Sequence, residues 1–368
     1  MKYIDEFRDP AAADTVYTAI SRIADEIKRP PGSIKIMEVC GSHTMSIARY
    51  GIRSRLPSCI DLISGPGCPV CVTGAGYIDA AIELAKRNNI IVTFGDMLYV
   101  PGSESSLAHC RSGGAKIEIC YSPMLAVELA AKNPCSQVIF LGIGFETTVG
   151  PVISIIPEAQ RRGVSNVSIL TAFKTIPPGL NALVSDKELN IDAFLCPAHV
   201  SAIIGSDAYK PYAEKYGKAC VVCGFEPLDI LLGILGVMEQ VRDGVAIVDN
   251  RYNRVVKSKG NRMAQVCLEK YLEPADAYWR GIGVIPGSAL KIRNEYSNYD
   301  AAEVHNIDIL TGLEHPGCSC GSVIKGIMKP EQCKMFGKSC TPENPIGPCM
   351  VSSEGSCAAA FKYAGAWK

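Results

Sequence analysis

The sequence predicts an α/β protein: two similar parallel-sheet α/β domains facing a cleft, plus a smaller cysteine-rich iron–sulfur domain. Three observations predict it. Short Val/Ile/Leu-rich runs recur as far as Cys223, and near-continuous apolar character marks strands buried on both faces, as in parallel sheets. Helical patterns lie between several of them, so right-handed strand–helix–strand units follow. Beyond Asp249 this pattern weakens, and six cysteines follow from Cys318 onward.

In order, the first-half strands are residues 34–39 (IKIMEV), 60–64 (IDLIS), 90–94 (IIVTF) and 117–120 (IEIC). The second-half strands are 137–143 (QVIFLGI), 167–172 (VSILTA), 191–195 (IDAFL) and 219–223 (ACVVC). Between the second and third strands, Ile78, Ala81, Ile82 and Ala85 fall on one helical face. Ser122-Pro123 reads as a helix start and Asn133-Pro134 as its stop. Strand starts are spaced by 26, 30 and 27 residues, then by 30, 24 and 28. That regularity predicts a domain over 13–120, a related one over 121–248, and a third unit over 249–368 to which residues 1–12 could belong.

Composition removes several function classes. Lys+Arg and Asp+Glu both number 37, so no excess of positive charge exists to neutralise phosphates, and nucleic acid is not an expected partner. The longest apolar run, 230–238, is nine residues and cannot span a bilayer. The charged start MKYIDEFRDP lacks the apolar segment of a secretory signal. A cytoplasmic location with no membrane contact is expected. Seventeen cysteines, an odd number, do not fit a structural disulfide framework in a reducing compartment. They point to metal, iron–sulfur or redox chemistry.

The unusual residues follow the strands, where parallel α/β sheets bind ligands. They are CGSHT (40–44), GPGCPVC (65–71), GDMLYVPGS (95–103), GFETT (144–148), FKTIPPG (173–179), CPAHVS (196–201) and GFEPLD (224–229). In GPGCPVC the glycines permit close backbone approach, and Cys68 and Cys71 form a C-x-x-C. Such a pair can bind half a zinc, close a disulfide, or set one thiolate beside a resolving thiol. A zinc ribbon needs a second pair. The other C-x-x-C, Cys220 to Cys223, ends a buried strand whose alternation sends the two sulfurs to opposite faces. Redox or transition-metal use of Cys68 and Cys71 is therefore favoured.

Cys40 and His43 share one loop, as a metal site or an activated thiol would require; a buried thiol beside a solvated imidazole is the structural alternative. Glu146 can cap a helix or move protons. His199 is a loop histidine near Cys196. Asp96 can be a turn former, Glu226 a cap, and Lys174 can attract anions. In the tail, Cys318, Cys320, Cys333, Cys340, Cys349 and Cys357 lie among glycines and prolines. Four thiolates with no histidine at ligand spacing suit an iron–sulfur cluster, with four-cysteine zinc as the alternative. Two cysteines are then spare and can form a redox pair.

CGSHT, GPGCPVC, GFETT, PAHVS and KSCTPENPIGPCMVSSEGSC together resemble the HypD family of hydrogenase maturation factors. The resemblance runs from Cys40 to Cys357, nearly the whole chain. It implies three domains with a 4Fe–4S cluster in the last, and a complex with a HypC-like small chaperone. The complex would hold a transient Fe(II) that gains cyanide, from a HypE-like carrier, and carbon monoxide to become the Fe(CN)2CO unit. This is a metallocofactor assembly scaffold with redox activity rather than a conventional turnover enzyme. It implies Cys40 as the iron-site thiol, Cys68 and Cys71 as the nearby thiol pair with Cys71 a second iron ligand, and His43, Glu146 and His199 as polar cleft residues. The tail is similar in logic to ferredoxin–thioredoxin reductase, where one member of each close pair ligates and its neighbour is redox-active. That implies Cys318, Cys333, Cys340 and Cys357 as cluster ligands and Cys320 with Cys349 as the redox pair. The family often carries a second histidine after CGxH; here Met45 stands there. A stand-alone cluster-dependent thiol–disulfide reductase, or a non-catalytic zinc protein, would use the same cysteines differently.

Overall fold

A computed structural model describes residues 4–186 and 188–363; residues 1–3 and 364–368, at the two ends of the predicted third unit, lie outside it. The strands are β1 (Ile34–Glu38), β2 (Ile60–Ser64), β3 (Ile90–Thr93), β4 (Ile117–Ile119), β5 (Val138–Gly144), β6 (Val167–Lys174), β7 (Ala193–Pro197), β8 (Ala219–Cys223), β9 (Val248–Asn250), β10 (Leu272–Trp279) and β11 (Gly283–Ile292). All eight predicted strands are present, and helices separate most of them. The fold is α/β with two parallel-dominated sheets and a cysteine-rich region after them.

The strands do not partition as the two contiguous blocks of four predicted above. One sheet has the order β2-β1-β7-β8-β9 and the other β10-β11-β6-β5-β3-β4. The chain starts in the first sheet, crosses to the second for β3 to β6, returns for β7 to β9, and crosses again for the hairpin. Both edges of β1 are used, by β2 (Ile36 opposite Leu62) and by β7 (Ile36 opposite Ala193). The cause is that hydrophobic periodicity reports burial but not which edge a strand presents.

The third unit is also corrected. Its hairpin β10–β11 joins the second sheet antiparallel to β6, with Ala289 opposite Lys174. Pro274, Pro286 and Gly287 break the strand signal there, as prolines do outside edge positions and bulges. A register shift between Ala275 and Ala277 marks such an irregularity.

The packing is in layers. The helices Pro10–Ile27 and Pro227–Asp243 cover the outer face of the first sheet, burying Ile20, Ile23, Ile230 and Ile234 against Ile36 and Val221. The helices Met124–Lys132, Glu146–Ile153 and Ile155–Arg162 cover the outer face of the second. A central core shared by both sheets contains Met37, Ile63, Leu141, Phe194 and Trp279. Cys220 faces this centre while Cys223 packs in the outer cluster, as strand alternation requires. No helix among the described residues is long and apolar enough to cross a membrane.

Candidate functional site

Cys40 follows β1 and caps the helix Gly41–Arg49. The GPGCPVC loop follows β2 and lies directly on it. Gly41 N–H donates to Gly67 O (3.1 Å), and a Cβ on Gly67 would stand 2.1 Å from the Cys40 nitrogen. Glycine is required at position 67 by this backbone approach. Pro69 opens a single helical turn, Pro69–Val72, in which Cys68 Sγ accepts from Cys71 N–H at 3.2 Å. Cys68 and Cys71 are joined as a disulfide.

The helix Ala198–Ile204, which starts directly after β7 and carries His199, and the loop after β8 supply the other wall. His199 Nε2 lies 3.8 Å from Cys40 Sγ. Phe225 stacks between the two histidines, 4.9 Å from the His43 ring and 5.0 Å from that of His199. His43 is fully buried and its Nε2–H donates to Gly224 O at 2.9 Å, with Cys223 Sγ at 3.5 Å. His43 thus ties the helix after β1 to the loop after β8. Burial lowers both imidazoles to about 4, so both are neutral near pH 7. Burial, reinforced by the Glu354 carboxylate, pushes the Cys40 thiol up to about 12.

A pocket of about 270 Å³ opens beside these groups, lined by Ser42, Gly67, Thr147, Thr148, His199 and Glu354 among others. GFETT therefore reaches it through Phe145, Thr147 and Thr148. Glu146 itself does not line it. Its Oε1 accepts from Ile176 N–H at 2.9 Å while Oε2 is buried without a partner. Burial raises this carboxyl to about 7.

The tail folds against the same place. Cys71 Sγ lies 4.0 Å from Pro348 O, the residue before Cys349. Cys349 and Cys320 approach to 2.9 Å, sulfur to sulfur. Cys318, Cys320, Cys333, Cys340, Cys349 and Cys357 all line one small void, with Gly347 against them. A Cβ on Gly347 would stand 2.6 Å from Cys318 Sγ. An all-sulfur donor set around a wall of bare glycine is chemically suited to a soft iron–sulfur centre. Cys320 is drawn toward the thiolate by hydrogen bonding from Cys318 and Cys349 and by the nearby Arg280 charge. No group of three or more His, Cys, Asp or Glu among the described residues is gathered around a single-ion position.

Two residues at this junction carried no sequence signal. Glu354 reaches back from the tail to accept from the Ser42 hydroxyl at 2.7 Å, and no spacing rule links positions so far apart. Arg280 is 3 % exposed; its backbone N–H donates to Val72 O at 2.8 Å and its Nε–H to Thr73 O at 3.2 Å. It sits in a segment where no strand was predicted. Glu226, read as a cap, stands at the N-cap position of the helix Pro227–Asp243 without a side-chain capping bond, and its carboxylate accepts from Arg8 Nη2 at 2.8 Å. Asp96 accepts from the Ser352 hydroxyl at 3.1 Å, a second clasp on the tail.

The chain matches the HypD family, described as "Hydrogenase formation hypA family", over residues 14–364. It is 44% identical to the hydrogenase expression/formation protein HupD of Azotobacter chroococcum mcd 1, over 99% of this chain and 97% of that one. It is 44% identical to the hydrogenase maturation factor HypD of Azotobacter vinelandii, with the same coverage. It is 39% identical to HypD of Escherichia coli K12, over 99% and 98%.

Proposed function

The chain belongs to the HypD family, and we propose that, within hydrogenase maturation, it is the scaffold on which a ferrous ion receives its diatomic ligands. Its partners would be a HypC-like chaperone and a HypE-like cyanide carrier, in the cytoplasm. The observation that carries this reading is the junction of three sulfur groups. Cys40 stands beside His199, the Cys68–Cys71 pair lies on the same loop contact, and Cys71 abuts the residue preceding Cys349.

The chemistry proceeds from these groups. Ferrous iron, the cargo, is soft enough to bind thiolates together with cyanide. Burial holds the Cys40 thiol near 12, and so protonated beside neutral His199, until the ion displaces that proton. Cys71 is the second candidate ligand once its disulfide is reduced. If the carrier presents cyanide as a thiocyanate, two thiols and R–S–C≡N give R–SH, HCN and one disulfide. The carrier's S–C bond breaks, and two electrons leave Cys68 and Cys71. Restoring that pair requires two electrons through Cys320 and Cys349, whose sulfurs stand ready for thiol–disulfide exchange. Cys318, Cys333, Cys340 and Cys357 are the residues that would hold a 4Fe–4S cluster, which supplies electrons one at a time.

The decisive experiment is anaerobic co-purification with the two partners, followed by infrared spectroscopy. Cyanide and carbonyl stretches are expected in the complex and lost in Cys40→Ala. Their absence from the unsubstituted complex, or persistence in Cys40→Ala, overturns the proposal. A stand-alone thiol–disulfide reductase would use the contact between Cys320 and Cys349 equally well, but it would reduce a thioredoxin-like partner without needing Cys40.

A further inference from the structure

Lys174 ends β6 and is 4 % exposed. Its ammonium makes no hydrogen bond or ion pair among the described residues. Its Nζ lies 5.8 Å from the centroid of the Trp279 ring. Lysine is almost never buried without a partner. Here it lines a pocket of about 360 Å³ together with Thr73, Tyr77, Asp276, Tyr278 and Thr311.

Other polar groups of that pocket are already satisfied inside the protein. The Tyr77 hydroxyl donates to Leu170 O at 2.8 Å. The Thr73 hydroxyl donates to Pro69 O at 2.8 Å. Asp276 Oδ1 accepts from Gly287 N–H at 2.9 Å. Lys174 is the one cation among the residues that line the pocket. Burial lowers its ammonium to about 8, so it still carries a proton at pH 7.

We propose that this pocket binds a small monoanionic carboxylate, of the size of formate or acetate, through Lys174. A single cation selects a single negative charge, and Asp276 on the same wall disfavours a dianion. Carbon from Ala172, Phe173 and Leu290 lines it beside the hydroxyl residues Thr171, Tyr278 and Thr311, a mixed wall that suits a short organic acid better than a fully hydrated inorganic ion. The site is distinct from the Cys40 pocket, and it borders Thr73 and Gly74, just beyond the turn that carries Cys71. The inference stands whether or not the iron reading does.

The test is acylation of the full-length protein with an activated ester near pH 8, read lysine by lysine by mass spectrometry. Formate or acetate is expected to slow Lys174 by at least about fivefold, as formation of a charge-assisted contact would, and to leave surface lysines unchanged. Calorimetry should show saturable acetate binding that is lost in Lys174→Met and kept in Lys174→Arg. A Lys174 that never reacts, protection by chloride or phosphate equal to that by acetate, or undiminished binding in Lys174→Met overturns the proposal. Should Lys174→Met not fold, the protection measured on the unsubstituted protein decides alone.

Discussion

Glu146 shows at single-residue scale how burial sets chemistry. Its carboxyl titrates near 7 in the fold against the ordinary 4.5. A raised pKa means that the folded state prefers the proton. The associated stability is complete below about 4.5 and is lost as pH rises through 7, on the order of 3 kcal/mol for a shift of this size. Glu146→Gln should therefore melt higher than the unsubstituted protein at pH 8, with the gap closing toward pH 4.5. A pH-independent difference in melting temperature would contradict this. His43 and His199 run the other way. Lowered to about 4 from 6.5, they contribute stability that is present above 6.5 and lost as pH falls through 4. Gly67→Ala should cost about 1–3 kcal/mol by overpacking, because the atoms a methyl group would meet are the Cys40 backbone rather than a movable side chain. Urea unfolding reads this, and an unchanged midpoint would show that the two loops are not in contact.

At the scale of elements, the hairpin β10–β11 matters more than its weak sequence signal suggests. Trp279 is fully buried, its ring 5.8 Å from that of Phe145, and its Nε1–H donates to the Ser288 hydroxyl at 2.8 Å. It wedges the hairpin under the GFETT loop and roofs Lys174. Trp279→Ala should cost about 3–5 kcal/mol, the range for emptying a large core site, and should loosen the Cys40 pocket as well. Hydrogen exchange of the loop amides after β5 would register that loosening; protection unchanged there would confine the hairpin's role to stability. The segment Ser352–Ser353–Glu354 is the second such element. It clasps the tail to Ser42 and Asp96. Glu354→Ala should raise the hydrogen-exchange rate of the tail amides on either side of it, whereas Glu354→Gln, able to accept the same hydrogen bond from Ser42, should not. Equal rates in both variants would refute the clasp.

For the molecule as a whole, interleaving of the sheets makes the two halves inseparable. β1 lies between β2 and β7, and β3 lies between β4 and β5. A fragment covering 13–120 holds parts of both sheets and completes neither, so it should show no cooperative unfolding transition by circular dichroism. A sharp two-state melt from that fragment would contradict the strand order. The same crossing brings the segments that follow β1, β2, β5 and β7 to one pocket, and Glu354 of the tail completes its lining.

The eight early strands, the buried character of all but the edge strand β4, and the strand-end segments that carry Cys40, Cys68, Cys71, Glu146 and His199 were legible in the chain. Apolar runs, glycine turns and clustered sulfur leave a local trace, because burial and backbone freedom act on neighbouring residues. The resembling motifs carried the family as well. Tertiary structure alone decided which strands pair, that the hairpin completes the second sheet, and that Glu354 and Arg280 meet the cysteine loops. It also decided that His43 anchors a backbone carbonyl and that Glu146 stands behind the pocket rather than in it. These are contacts between residues far apart in sequence. They are fixed by sheet edges and packing volume, and no periodicity along the chain records them.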